Sequence, residues 1–469
     1  MILTSRAATG SRRRHGNNMC RKLQTAQIDD HYSSYLAPSL AQVQNEIEQK
    51  RRMHQLASTS SISTQLIDNG LAASRLGIDP YQNSRHAPTV YHEHYSCPNW
   101  PQKHTFPMSK FEQTAHSLLT DTDDLLKEEG NSDDDDRPLI RSVGDFFRPL
   151  EVSNFPLSFL TPPIQPDYLH KFLSGSLSKE ECRKIGFREQ TSRPELIERT
   201  VLEVAGTVLT AQLALRYGLA CNVAGGTHHA EANEGKGFTI LNDLAVASRL
   251  MTWNEDESDD FGTDDDDSTS SSNNINDNLL RELYRGNQCV QRVLVVDCDV
   301  HQGDGTATFH YHGNLLHGRL FTLDLHAENN WPFEKESPTY DVPLPDGCTD
   351  SVYLSVLSNS LNKALNEVQP QLVLYNAGVD PFHEDKLGRL SLSWQGLHDR
   401  DLLVIQTCVG RGLPVACVVG GGYSKDVREV AQRHALVHRV CAKVWRDNEL
   451  WRRWQTSYTT RSTSNPTVL

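Results

Sequence analysis

The run "VVDCDVHQGDGTA", residues 295 to 307, places Asp297, Asp299, His301 and Asp304 within eight positions at the end of a strongly β-forming stretch. In extended backbone, residues two apart share a face, so the first three either project together or are turned apart by a bend. Two carboxylates and an imidazole suit a divalent metal, and a catalytic zinc ion takes three protein ligands of this kind while keeping one position open for water. The run offers at most two good ligands plus neighbours that orient them. A third must come from elsewhere, and Asp380, at the end of another apolar run, is the best placed. The competing reading is a calcium-type or turn motif, in which the acids only satisfy backbone amides and Gly303 and Gly305 supply the turn.

Two further stretches carry chemistry. "GGTHHA" sets His228 and His229 side by side after a Gly-Gly turn, in a loop where both rings can approach one site. A metal-activated water needs a general base and a leaving amine needs a proton, and histidine titrates in the range suited to both. Asp297 and Asp304 then acquire a use as carboxylates that fix the tautomers of the two imidazoles. "GGGYS" puts Tyr423 on a glycine turn, where its hydroxyl can stabilise the oxyanion of an acyl-transfer intermediate. Phosphate cradling does not fit, because no Lys-[Ser/Thr] pair follows at the required position.

The elements that must position these residues are legible. Short, β-branched apolar runs recur at 292 to 297, 319 to 325, 371 to 376 and 414 to 420, separated by helix-compatible segments such as 351 to 368 and 396 to 411. Continuous apolar strands alternating with helices predict a parallel sheet covered on both faces, with ligands bound beyond the carboxyl ends of the strands. Three of these runs end in "DCDVHQGDG", "AGVD" and "GGYS", and a fourth, "LACNVA", ends in "GGTHHA". Residues 191 to 218 have helical apolar spacing, Pro194 in the first turn, Gly218 at the end, and Ser192 with Glu195 as a capping box.

The net charge of −14 comes from two tracts, residues 121 to 136 with nine acids and one lysine, and 254 to 278 with ten acids and no base. Those sum to −18, leaving +4 elsewhere, so no basic stripe for direct nucleic-acid binding exists. The second tract reads as a solvated acidic insertion, 254 to 288, in one domain spanning 88 to 448, flanked by a polar tail, 1 to 87, and a C-terminal tail, 449 to 469. The ten cysteines form no C-x-x-C pair, which predicts a reducing compartment, no disulfide framework and no thiolate zinc site. No apolar run is long enough to span a bilayer, so the chain reads as soluble and intracellular. Arg6, Arg12, Arg13, Arg14, Arg21 and Lys22, with no acid before Asp29, have the composition of a mitochondrial or plastid transit peptide, or of a basic tail on a cytoplasmic or nuclear protein.

Together these residues resemble the histone deacetylase superfamily. The matching stretches are "AGGTHHAEANEGKGFTILNDLAVA", "VLVVDCDVHQGDGTA", "YNAGVDPFHEDKLGRLSLS" and "VVGGGYS", and "KHTFPMSKF" with "FPLSFLTPP" resemble the class IV and bacterial-type branch. The resemblance covers about 88 to 445 and implies an arginase/deacetylase fold: α/β, a single parallel sheet in a three-layer α/β/α domain. It implies a zinc cofactor on Asp299, His301 and Asp380, His229 as general base and then acid, and His228 as its electrostatic partner. Asp297 and Asp304 would orient the two histidines, Tyr423 would polarise the acyl oxygen, and Gly237, Phe238 and Trp331 would wall an acyl-lysine tunnel. Asp324 stands where many relatives place a hydroxyl in a potassium site, so it is the candidate potassium position.

The implied activity is hydrolysis of the amide of N-acyl-lysine in proteins, with lysine deacetylation and chromatin regulation as the attached processes. The partner is an acylated protein or a small acyl-amine, and the oligomeric state is open. The alternatives are an acetylpolyamine or other small-amide hydrolase on the same fold, and a non-catalytic acyl-lysine binding protein. A binuclear manganese hydrolase would need paired aspartates of the D-x-D-x-x-D-P type, and the chain has the single "GVDPF".

Overall fold

The computed structural model describes residues 85–121, 138–252 and 290–452. The acidic insertion, most of the first acidic tract and most of both tails lie outside the described residues. Leu450, which the sequence assigns to the C-terminal tail, is buried, so the packed chain runs past residue 448.

Seven parallel strands form one sheet in the order β1-β2-β7-β6-β3-β4-β5. The strands are β1 (Thr89–Val90), β2 (Leu219–Asn222), β3 (Val293–Asp297), β4 (Leu320–Ala327), β5 (Tyr340–Leu344), β6 (Leu372–Asn376) and β7 (Val415–Val418). The β2, β3, β6 and β7 residues are all buried, as continuous apolar runs covered on both faces must be. Each such Val or Leu gains roughly 1.5–3 kcal/mol over an exposed one, which is what selects this register.

The helices are α1 (Lys110–Thr120), α2 (Pro166–Leu173), α3 (Lys179–Ile185), α4 (Pro194–Tyr217), α5 (Asp243–Met251), α6 (Asp304–Thr308), α7 (Asp350–Val368), α8 (Trp394–Gly410) and α9 (Val427–Asp447). α4 packs on β2 and β7 and against α5, while α7, α8 and α9 pack against one another in series, α7 on β3, β4 and β5 and α9 on β2. Helices therefore cover both faces, and the three-layer α/β/α expectation is met.

Two local expectations need correction. The cap of α4 is Arg193 with no side-chain hydrogen bond, because Ser192 ends a short 3-10 helix and bonds back to the Glu189 carbonyl instead of forming a box with Glu195. β5 was not legible as a strand: it alternates half-buried and exposed residues before the buried Leu344, and Pro343 lacks an amide donor, a composition tolerated only at a sheet edge.

Candidate active site

Asp297 is the last residue of β3, in register with Asp324 of β4 and Asn376 of β6. Beyond it the chain winds around its own carboxylates. Asp299 N–H donates to Asp297 Oδ1 at 3.1 Å, His301 N–H to Asp299 Oδ1 at 3.0 Å, and Val300 N–H to Asp380 Oδ1 at 2.9 Å. This turn divides the acids of the opening run between two tasks.

Asp299, His301 and Asp380 form one group. One ligand-type atom from each lies within 4.8 Å of the others, and all three are buried. His301 Nδ1 stands 3.1 Å from Asp299 Oδ1 and 3.2 Å from Asp380 Oδ2. Burial opposes a charged imidazole, yet the two carboxylates push the His301 pKa up to about 10. The set demands positive charge at its centre, and its donors fit a zinc ion with an open position. Gly421 borders it with its N–H on Asp299 Oδ2 at 2.7 Å. A Cβ at Gly421 would come within 2.3 Å of Asp380 Oδ2, so only glycine lets the "GGGYS" turn approach.

Asp297 and Asp304 serve the histidines. His228 Nδ1–H donates to Asp297 Oδ2 at 2.8 Å, and His229 Nδ1–H donates to Asp304 Oδ1 at 2.7 Å. The rings sit 4.0 Å apart between centroids, both buried, in opposite electrostatic conditions. Burial disfavours charge on His228, but Asp297 and Asp299 outweigh it and raise its pKa to about 10. On His229 burial and the neighbouring His228 act in the same direction and lower the pKa to about 4, against Asp304. The surroundings therefore push the two rings apart, His228 toward the cation and His229 toward the neutral base.

Tyr423 and His229 line a common pocket with His301, Gly237, Phe238 and Trp331. Burial, then the Asp380 and Asp299 charges, hold the Tyr423 phenol well above its usual pKa, so it is a neutral donor. Phe238 stacks on Phe187 at 5.7 Å, and Trp331 meets the His229 ring edge-on at 4.6 Å, giving two separate aromatic walls. Gly237 has φ +58°, and a Cβ there would lie 2.5 Å from the Trp331 ring. Asp324 lies beside Asp297 in the strand register: its Oδ2 accepts from Gly303 N–H at 2.7 Å and its Oδ1 from His326 Nδ1–H at 2.8 Å.

The histone deacetylase domain family matches residues 165–257 and 275–439. The chain belongs to the histone deacetylase superfamily. An uncharacterized protein of Picosynechococcus is 37% identical over 358 residues, 76% of this chain and 99% of that protein. Histone deacetylase 2 of Arabidopsis thaliana is 30% identical over 243 residues, 50% of this chain and 53% of its own length. Histone deacetylase RPD3 of Saccharomyces cerevisiae is 29% identical over 246 residues, 50% of this chain and 46% of its own length. The chain thus spans about half the length of these histone deacetylases and nearly all of the cyanobacterial relative.

The deacetylase fold also recruits residues that the sequence did not single out. Asp243, the first residue of α5, accepts hydrogen bonds from Gly226 N–H at 2.9 Å, Thr227 N–H at 2.8 Å, and the Thr227 and Thr207 hydroxyls at 2.6 Å each. It clamps the turn that presents His228 and His229. Lys236 Nζ reaches Asp304 Oδ2 at 2.8 Å, Asn376 Nδ2 donates to Asp297 Oδ1 at 3.0 Å, and Asp385 accepts the Tyr423 N–H at 2.6 Å. Lys110, fully buried, donates to the Gly420 carbonyl at 2.8 Å. Asp243 and Lys236 lie inside the long "GGTHHAEANEGKGFTILND" match, which was the available signal; Lys110 had none beyond its own motif.

Proposed function

We propose that this protein is a zinc-dependent hydrolase of the amide of N-acyl-lysine in proteins, in the class IV and bacterial-type branch of the superfamily. The observation that carries the reading is the convergence of three features on one aromatic-walled pocket: the Asp299, His301 and Asp380 set, neutral His229, and the Tyr423 phenol. The "KHTFPMSKF" and "FPLSFLTPP" stretches are what favour the branch.

Asp299, His301 and Asp380 would hold the zinc ion, which when bound supplies Lewis acidity toward the acyl oxygen and acidifies an attacking water. His229 donates its Nδ1–H to Asp304, which leaves Nε2 to take a proton from the water and then deliver it to the leaving lysine amine. The His228 cation, fixed by Asp297, contributes positive potential where negative charge develops. Tyr423 donates its hydroxyl to the acyl oxygen as it gains charge. Phe238 and Trp331 flank the lysine methylenes and exclude water, with Gly237 giving the close approach. Potassium at Asp324 belongs to the same reading; the buried Asp324 carboxyl, raised to about 6, would share its oxygens between that cation, Gly303 and His326.

The test compares acetyl-lysine peptides, longer acyl-lysine peptides and an acetylpolyamine at equal enzyme. Faster turnover of a peptide supports the proposal, preference for the polyamine supports the small-amide hydrolase, and binding without turnover supports a non-catalytic role.

A further inference from the structure

Cysteines scattered in the sequence come together in the fold. Cys221 and Cys417 are register partners on the neighbouring parallel strands β2 and β7, so their thiols leave the sheet on one face. α9 packs against β2 and brings Cys441. The three Sγ atoms lie within 4.8 Å of one another, with Cys417 Sγ and Cys441 Sγ 3.6 Å apart. His438, three residues earlier on the same helix face, lies against the Cys221 thiol. Its ring is 2% exposed, and neither nitrogen makes a hydrogen bond of full geometry among the described residues.

We propose that Cys221, Cys417 and Cys441 hold a structural zinc ion, separate from the pocket at the strand ends, with His438 beside the Cys221 thiol, outside the three-sulfur group, as the neighbour that would turn in to complete it. A tetrahedral ion with Zn–S bonds of about 2.3 Å sets its sulfurs about 3.8 Å apart. The Cys417–Cys441 separation of 3.6 Å matches that spacing and is far from the roughly 2.05 Å of a disulfide. Thiolates and imidazole select zinc over the hard cations that oxygen ligands take. As a purely apolar cluster the thiols would pack well enough, but the buried imidazole would have only the weak Cys221 thiol as a partner. Binding releases three thiol protons to solvent and, in so enclosed a place, accompanies folding.

The location gives the site a purpose. β2 runs on into the turn bearing His228 and His229, and β7 runs on into the turn bearing Tyr423. An ion joining β2, β7 and α9 pins the bases of both turns without touching the pocket.

Elemental analysis of the purified full chain tests this, read beside His301→Ala and Cys441→Ala. The expected result is two zinc ions per wild-type chain and one in His301→Ala. Exchanged for cobalt, that remaining ion should show thiolate charge-transfer absorption. Cys441→Ala should also hold one ion and should melt at lower temperature while keeping its turnover on acyl-lysine peptide. A His301→Ala chain that folds and holds no metal, or a cobalt form without thiolate absorption, overturns the proposal, as does a Cys417–Cys441 disulfide found by mass analysis. One thiolate-bound ion in both wild type and His301→Ala would support this site and count against the strand-end zinc, so the two readings fail separately.

Discussion

His229 Nδ1 and Asp304 Oδ1 stand 2.7 Å apart, and Lys236 Nζ holds the other Asp304 oxygen at 2.8 Å. Burial works against the Asp304 charge, but His229 and Lys236 hold its carboxyl down at about 2, so it stays an acceptor for the imidazole. Lys236→Met should therefore lower kcat by about 10- to 100-fold through misorientation of His229, the usual cost of losing an outer hydrogen-bond partner. Steady-state kinetics with metal content checked alongside decides it; an unchanged kcat would remove Lys236 from the account.

The pH profile should report the unlike histidines. His229, lowered to about 4 by burial and the His228 cation, is a base throughout the neutral range. The acidic limb of kcat/KM should then fall well below the ordinary imidazole value of about 6.5. Asp297→Asn removes the carboxylate that keeps His228 charged, so repulsion on protonated His229 disappears and its pKa rises. The limb should move upward in that variant; a limb that stays put or moves down would contradict the pairing.

Loss of the Tyr423 hydroxyl should be felt in turnover. Tyr423→Phe keeps the ring among Phe238 and His301 and removes only the donor. A drop in kcat of about 10²- to 10³-fold with little change in KM is expected for one oxyanion donor. A change confined to KM would assign Tyr423 to substrate binding alone.

Asp243 makes a structural prediction. Its carboxylate satisfies two backbone amides and two hydroxyls in the buried turn before His228. Asp243→Ala leaves the two amides and the Thr207 hydroxyl without this acceptor, at about 1–3 kcal/mol each, while the Thr227 hydroxyl can turn to the Leu241 carbonyl, and should lower the urea midpoint strongly. Asp243→Asn, which can still accept, should fall between the two.

The sheet's centre could be read from sequence because its strands are buried on both faces and therefore continuously apolar, and because their ends carry polar turns. β5 could not, since an edge strand keeps an alternating pattern with a proline. The same contrast divides the site. Asp299, His301 and Asp380 announce themselves by residue type at strand ends. Asp385 and Lys110 matter only through contacts made across long separations in the chain, to Tyr423 and Gly420. The thiol cluster was missed for that reason too: Cys221, Cys417 and Cys441 have no common spacing, and only strand pairing and the docking of α9 unite them.

Acetate release from an acetyl-lysine peptide by the chelator-treated chain, before and after saturation with zinc, with Asp380→Asn in parallel, tests the zinc-dependent reading most directly. Release should stop on chelation, return with zinc in the wild type, and stay absent in Asp380→Asn. Release that survives chelation, or a fully zinc-loaded chain that hydrolyses no acyl-lysine peptide, would contradict it.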